Sequence, residues 1–418
     1  MYKLEFTLKQ HTPIIHFQHD QDGATLRATE VKPKLDRFLR DNSDRLDYQF
    51  YDEHDSYSYS LRIINSKSDT VFEGIENFSA GGSHSIPLVL ANMGKEDEAK
   101  SKFSWVDSDV KIIIRAANKK LLSDIQFLFP EFLLYTNFGN RNSKGFGSFY
   151  LSEKCKHYVD FEEFDESFFF DVNIKSSVST LDNFRTLFKA INTFHKAIRS
   201  GIQEGYYDRN TQKFKTTFYF KSVLWLYGKT FGIQWDKRTV KTRLLDLKSD
   251  NEESNKESLI IKELLGLSTL EKWSTVKERD SSEVIFKNID IKREHDVTLE
   301  NAKIERIPSP LIYKPIRIES EIIRVYLFPK DLPKDLTNQN IKVSVSKPIP
   351  KSISLPLATE EFSVKRYFNF MFKPKPSGEY IFDIQNLVDE TFLQSKTNHE
   401  TLFLLEDIFN QVRKNANK

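Results

Sequence analysis

A chain of 418 residues, 39% hydrophobic and 29% charged, has room for two or three domains, and its 35 phenylalanines supply bulky apolar surface for their cores. The formal net charge is only +2, so a surface suited to an anionic polymer must be local. The single cysteine, Cys155, excludes an intrachain disulfide and a cysteine-rich zinc site, which suits a reducing cytoplasm.

Residues 2–8 alternate apolar and polar and predict an opening strand rather than a signal peptide. Residues 11–22 read as polar and irregular. Thr29 is expected to cap a helix reaching about Arg40, with Val31, Leu35, Phe38 and Leu39 on one face and Pro33 in the first turn. Residues 48–65 predict a strand pair around an acidic, tyrosine-rich turn, 73–105 an irregular insertion, and 109–117 a strand. Helical spacing continues over 121–138, with Pro130 expected to kink or divide it. A glycine loop and a strand at 148–152 follow. Strand, helix, two strands, helix, strand is a ferredoxin-like order.

The acidic stretch 160–166 closes this unit, and a second opens at 168–174. Phe184, Leu187, Phe188, Ile191, Phe194 and Ile198 form the strongest helical pattern in the chain, with His195 on the same face as a packed histidine. Residues 246–257 are polar and predict a loop. Residues 341–346 and 368–372 alternate as strands, and 402–412 predicts an amphipathic helix. The chain reads as α+β, and no stretch is long and apolar enough to span a bilayer.

The most informative segment is Asn140-Arg141-Asn142-Ser143-Lys144-Gly145-Phe146-Gly147-Ser148. Its glycines allow a backbone to approach a phosphate, Arg141 and Lys144 bring charge, and Phe146 offers a ring for stacking. Between 209 and 243 the chain is dense in cations and aromatics, with Asp236 as the only acid. Most of those rings are expected in the core. Lys221, Lys237, Arg238, Lys241 and Arg243 are candidate phosphate contacts. Arg27, Lys32, Lys34 and Arg37 add charge at the first helix, offset by Glu30 and Asp36. His11, His16 and His19 lack a second ligand cluster, so no metal site is expected, and residues 51–55 read as an acidic solvated turn. There is no P-loop, Ser-His-Asp pattern or paired-cysteine set, and no cofactor is indicated.

Three segments together resemble a known family: Thr12-Pro13-Ile14-Ile15 after the first strand, residues 26–35 (LRATEVKPKL), and the 140–149 loop with its Lys-Gly-Phe-Gly-Ser core. Their order is similar to that of the RAMP superfamily of CRISPR-associated proteins, and most similar to the first subunit of the Cmr module of type III systems. Leu264-Leu265-Gly266-Leu267 and residues 306–314, ending in Lys314, resemble that subunit's second half. The resemblance implies two ferredoxin-like (RRM-like) domains with insertions, here 1–160 and 161–418. It implies a non-catalytic subunit of an antiviral ribonucleoprotein that holds guide RNA, with target RNA as a second candidate, among other effector subunits in the cytoplasm. The binding loop would be 140–148, the basic helix start Arg27, Lys32 and Lys34, and the 209–243 region the facing wall. One departure is His16-Phe17-Gln18-His19-Asp20 where relatives continue with glycines. It keeps open a metal-independent endoribonuclease using His16, His11 or His19. A scaffold that touches no RNA is the third reading.

Overall fold

The structure is a computed structural model. It describes residues 1–15, 25–48, 56–64, 70–74, 101–164, 166–208, 210, 213–235, 239–245, 258–266, 270–279, 282–295, 307, 309–333, 336, 339–345, 350–389 and 399–417.

The first half is built on β1 (Tyr2–Gln10), whose Leu4, Phe6 and Leu8 alternate into the core. Then come α1 (Ala28–Asp41), β2 (Tyr59–Ile64), a hairpin of β3 (Thr70–Gly74) and β4 (Ser101–Trp105), β5 (Val110–Ala116), α2 (Lys119–Tyr135) and β6 (Phe149–Leu151). The main sheet has the order β2-β5-β1-β6 with every neighbour antiparallel. Phe6 of β1 and Ile63 of β2 both face Ile112 of β5 in register. The side chain of Asn118 accepts from the backbone N–H groups of Lys120 and Leu121 and so caps α2. That helix lays Phe129 on Phe6, ring centroids 4.0 Å apart.

The second half comprises β7 (Phe169–Asn173), α3 (Thr180–Arg199), a β8 (Ile202–Asp208) and β9 (Lys213–Phe220) hairpin, α4 (Val223–Thr230), and the short parallel pair β10 (Gln234–Trp235) and β11 (Ser258–Leu259). The order continues with β12 (Leu270–Arg279), β13 (Ser282–His295), β14 (Leu311–Glu319), β15 (Ile322–Pro329), β16 (Asn340–Val345), β17 (Lys351–Pro356), α5 (Val364–Phe372) and α6 (Glu400–Asn415). Sheets β14-β15-β7 and β12-β13-β16-β17 form here. α3 is the central helix. It buries Phe184, Leu187, Phe188, Ile191, Phe194 and Ile198.

The two cores trade side chains. Ile15, Trp105 and Phe146 from the first half pack into the second core, and Ile316, Tyr326 and Phe328 from β14 and β15 pack into the first.

Several expectations need correction. Residues 368–372 are helical, not a strand. In α5 Val364, Tyr367, Phe368 and Met371 share the buried face and Lys365, Arg366 and Asn369 are exposed, so the helical period shows only when the residues before 368 are read with those after it. Thr29 lies inside α1. The N-cap position is Arg27, with no side-chain cap. Pro130 does not divide α2, although the helix stops at Tyr135. Among the described residues of 48–65 there is one strand, β2, which pairs with β5. Residues 49–55 lie outside the described residues. Of the supposed insertion 73–105, residues 101–105 form β4, and 75–100 are outside the described residues. Nor is the start of 11–22 a polar excursion: His11, Thr12, Pro13, Ile14 and Ile15 are buried. The 246–257 loop falls outside the described residues. Among the described residues no helix is long and apolar enough to cross a membrane.

Candidate nucleic-acid interface

The glycine loop leaves α2 and returns into β6. Its base is closed by an Asn137–Ser148 bridge and by the Phe138 N–H donating to the Gly147 carbonyl at 2.9 Å. Gly147 has φ +67°, and a Cβ there would stand 1.9 Å from the Phe138 oxygen. Only glycine closes this hairpin without moving backbone. Arg141 also takes a left-handed φ of 56°.

The segments singled out in the sequence are interlocked around this loop. The Thr12 hydroxyl donates to the Gly145 carbonyl (2.6 Å) and accepts the Ser148 N–H (2.9 Å). The Gly147 N–H donates to Pro13 O, and the Asn140 N–H to Ile15 O. From α1, the Glu30 carboxylate takes the Gly139 N–H, and Lys34 Nζ donates to Asn137 O at 3.0 Å. From β14, Lys314 is fully buried and donates to Thr136 O (2.9 Å) and Phe149 O (2.8 Å), one carbonyl on either flank of the loop. Thr136 is the C-cap of α2, where a cation complements the helix dipole. Burial, and Lys34 nearby, hold the Lys314 amine well below the usual lysine range.

The far side of the loop is covered by the second half. Phe146 is 2% exposed and stacked on Phe188, centroids 3.9 Å apart and planes 8° from parallel. The ring is therefore committed to the core and offers no face to a base. Ser148 is buried and donates to Pro315 O at 2.6 Å. Gly145 and Gly147 are buried, and a Cβ on Gly145 would meet Pro315 at 2.9 Å. Lys144 keeps part of its stem at the surface, but its Nζ turns inward, 2.8 Å from Nε2 of His195, whose Nδ1 lies 3.1 Å from the Tyr313 hydroxyl. Burial, with Arg199 and Arg141 close by, pushes the Lys144 amine well down; burial and Lys144 do the same to His195. The glycine-lysine half of the loop is thus a clasp between the two halves of the chain.

What remains toward solvent is a rim. Asn140, Arg141, Asn142 and Ser143 are half-buried, as is Arg27, and Arg37 is exposed on α1. Asn142 is held by its Nδ2 donating to Gly139 O, and its own carbonyl accepts from Asn137. Lys32 does not join this rim. Its three donors go to Asp36, Ser56 and Tyr57 O, at 2.7, 2.7 and 3.1 Å, tying α1 to the chain before β2. Lys34 is spent on Glu30 and Asn137, 5.0 Å from the centroid of the Phe138 ring.

The 209–243 region is assembled differently. Phe218, Phe220 and Tyr227 are core residues, and α4 packs on α3 and α5. Lys221 pairs with Asp389 at 3.5 Å. Lys241 is half-buried and Arg243 exposed on the turn Val240–Leu244. Lys237 and Arg238 lie outside the described residues, as do His16 and His19. His11 is buried, with Nδ1 accepting the Arg317 backbone N–H at 3.0 Å. Among the described residues no group of three or more His, Cys, Asp or Glu is placed to hold a metal ion.

Sequence reasoning missed the buried cluster of Lys144, His195 and Tyr313, because its members come from three distant segments. Lys314 carried a signal: a lysine inside the apolar run of residues 311–316 has no solvent to point at.

Both halves of the chain match family models: residues 1–202 that of the Cmr1 N-terminal domain, and residues 219–418 that of the Cmr1 C-terminal domain. The chain is thus a RAMP protein, a subunit of a type III CRISPR effector complex. It belongs to the Cmr1 family. Among solved structures, the crystal structure of Cmr1 from Pyrococcus furiosus in its apo form aligns with 80% of this chain and 90% of that one, at 8% identity and a TM-score of 0.32. No curated protein matches the chain.

Proposed function

We propose that this subunit binds RNA, guide RNA first and target RNA second, through the sugar-phosphate backbone within the effector complex in the cytoplasm. The observation that carries the reading is the joining of α1 to the glycine loop through Lys34, Asn137, Glu30 and Gly139. Arg37 belongs to α1 and Arg141 to the loop, the two elements so joined, and Asn140, Asn142 and Ser143 lie in the same loop as Arg141. Such a rim neutralises phosphates and leaves sequence to base pairing. Arg27 extends it at the helix start. Arg243 and Lys241 are candidate contacts further along the chain.

The sheet order β2-β5-β1-β6, with α1 and α2 as crossovers, supports a ferredoxin-like first domain. The pairing of β7 with β15 supports starting the second domain near residue 161.

The test is RNA affinity at several salt concentrations for an Arg37→Ala/Arg141→Ala double variant. Each lost phosphate contact should lower the log–log salt slope by about 0.7, so about 1.4 for the pair. An unchanged slope and affinity would remove the rim from the RNA path.

A further inference from the structure

A second polar feature lies where β1 and β6 meet β14. It is a cavity of about 430 Å³ whose wall includes Lys9, His11 and Arg317. His11 is 5% exposed, and its Nδ1 accepts the Arg317 backbone N–H. A ring whose Nδ1 is an acceptor carries its proton on Nε2 when neutral. Burial, then the nearby cations, hold His11 well below the usual histidine range, so it is neutral. The Nε2–H is buried and has no partner among the described residues. A buried donor in that position calls for an acceptor.

The cavity is polarised. Asp109 and Glu162 on its wall are paired, with Lys154 at 3.8 Å and Arg324 at 2.7 Å. Glu153, Asp160 and Glu319 also line it. The charges acting on His11, however, are those of Lys314, Lys9 and Arg317. The His11 end is therefore rich in donors, with Asp107 the acid that acts on Arg317 there.

We propose that this cavity binds the phosphate of a nucleotide, held by His11 Nε2–H, the Lys9 ammonium and the Arg317 guanidinium. Lys9 lies in β1 and His11 directly follows its last residue, its N–H still bonded to Ser148 O beside β6, so the two residues keep the two-residue spacing of one strand face. Arg317 is brought alongside by its own N–H bond to the imidazole. The volume falls in the range of small-molecule sites, about 300–1,000 Å³, so a nucleoside fits behind the phosphate. The carboxylates of the far wall are acceptors for ribose hydroxyls. The nucleotide is either free or the end of an RNA, and only the second source rests on the RNA-binding reading above.

The experiment is calorimetric titration of the full chain with adenosine monophosphate, and with one short RNA carrying a terminal phosphate or a terminal hydroxyl. Each is repeated on Lys9→Met, an exposed position that leaves folding intact, and on Arg317→Met. Saturable binding of the mononucleotide, weakened at least about tenfold by Lys9→Met, assigns the site to free nucleotide. At least about tenfold tighter binding of the phosphorylated RNA, lost in Lys9→Met, assigns it to an RNA end. If neither phosphate is felt, or Lys9→Met changes nothing, the site is wrong. In that case RNA binding that still depends on Arg37 and Arg141 leaves the rim standing. Mononucleotide binding that depends on Lys9, with RNA binding indifferent to Arg37 and Arg141, keeps the phosphate site and removes the rim.

Discussion

Replacing Phe146 by alanine separates the clasp from the RNA rim. The ring is 2% exposed and lies flat on Phe188, so truncation empties a fully enclosed site between the halves. Core Phe→Ala changes cost roughly 3–5 kcal/mol, and a stacked aromatic partner accounts for about 0.5–1.5 kcal/mol beyond buried area. We take about 4 kcal/mol. With a urea m-value at the upper end of the small-protein range, about 3 kcal/mol/M, the unfolding midpoint should fall by somewhat more than 1 M. The assay is urea unfolding followed by tryptophan fluorescence, since Trp105 packs edge-on to Phe184 in the same core, centroids 5.0 Å apart. RNA affinity of the folded variant, measured without urea, should stay within about threefold of the parent. A midpoint that does not move, together with a tenfold loss of RNA affinity, would show the ring facing RNA and refute the clasp.

Two more expectations follow from the same region. Gly147→Ala and Gly378→Ala both place a side chain at positive φ (+67° and +85°), but only the first drives a Cβ into backbone; nothing lies within 4 Å of the second. Left-handed strain costs about 1–2 kcal/mol in each, so a calorimetric melt should show a modest loss for Gly378→Ala and a much larger one for Gly147→Ala. Equal losses would mean the loop base relaxes freely. The chain should also lose stability in mild acid. His11 and His195 both have folded pKa values well below the unfolded value of about 6.5, so below that pH the unfolded chain binds protons the folded chain refuses. The contribution of the two histidines is full above about pH 6.5 and falls as pH drops, by up to about 1.4 kcal/mol per pH unit for each. His195→Gln should reduce that slope between about pH 6.5 and 5; an identical slope would remove His195 from the effect.

Much of the scaffold could be read from the chain because its elements have one wet face. The alternation of β1, and the apolar stripes of α1 and α3, mark a boundary between core and solvent. α5 misled for a local reason: its exposed Lys365 and Arg366 precede the window 368–372, within which Phe368, Phe370 and Phe372 mimic a two-residue period. The binding loop was legible as a motif but not as a surface. A lysine and a phenylalanine between glycines look available to a ligand until Pro315, Ile191 and Phe188, from distant segments, close over them. Arg141 is half-buried while the Lys144 ammonium end turns in to His195, and the left-handed backbone at Arg141 is not written in composition.

Lys314 has a mechanical consequence. Its ammonium crosses from β14 to hold carbonyls on both flanks of the loop, while Phe146 crosses the other way. Prying the two lobes apart would break both of those bonds and uncover aromatic surface at once, so a hinge is disfavoured along this seam. The distance from the loop rim to the β14 cavity is then a fixed ruler length, and any strand touching both must bend to fit the protein.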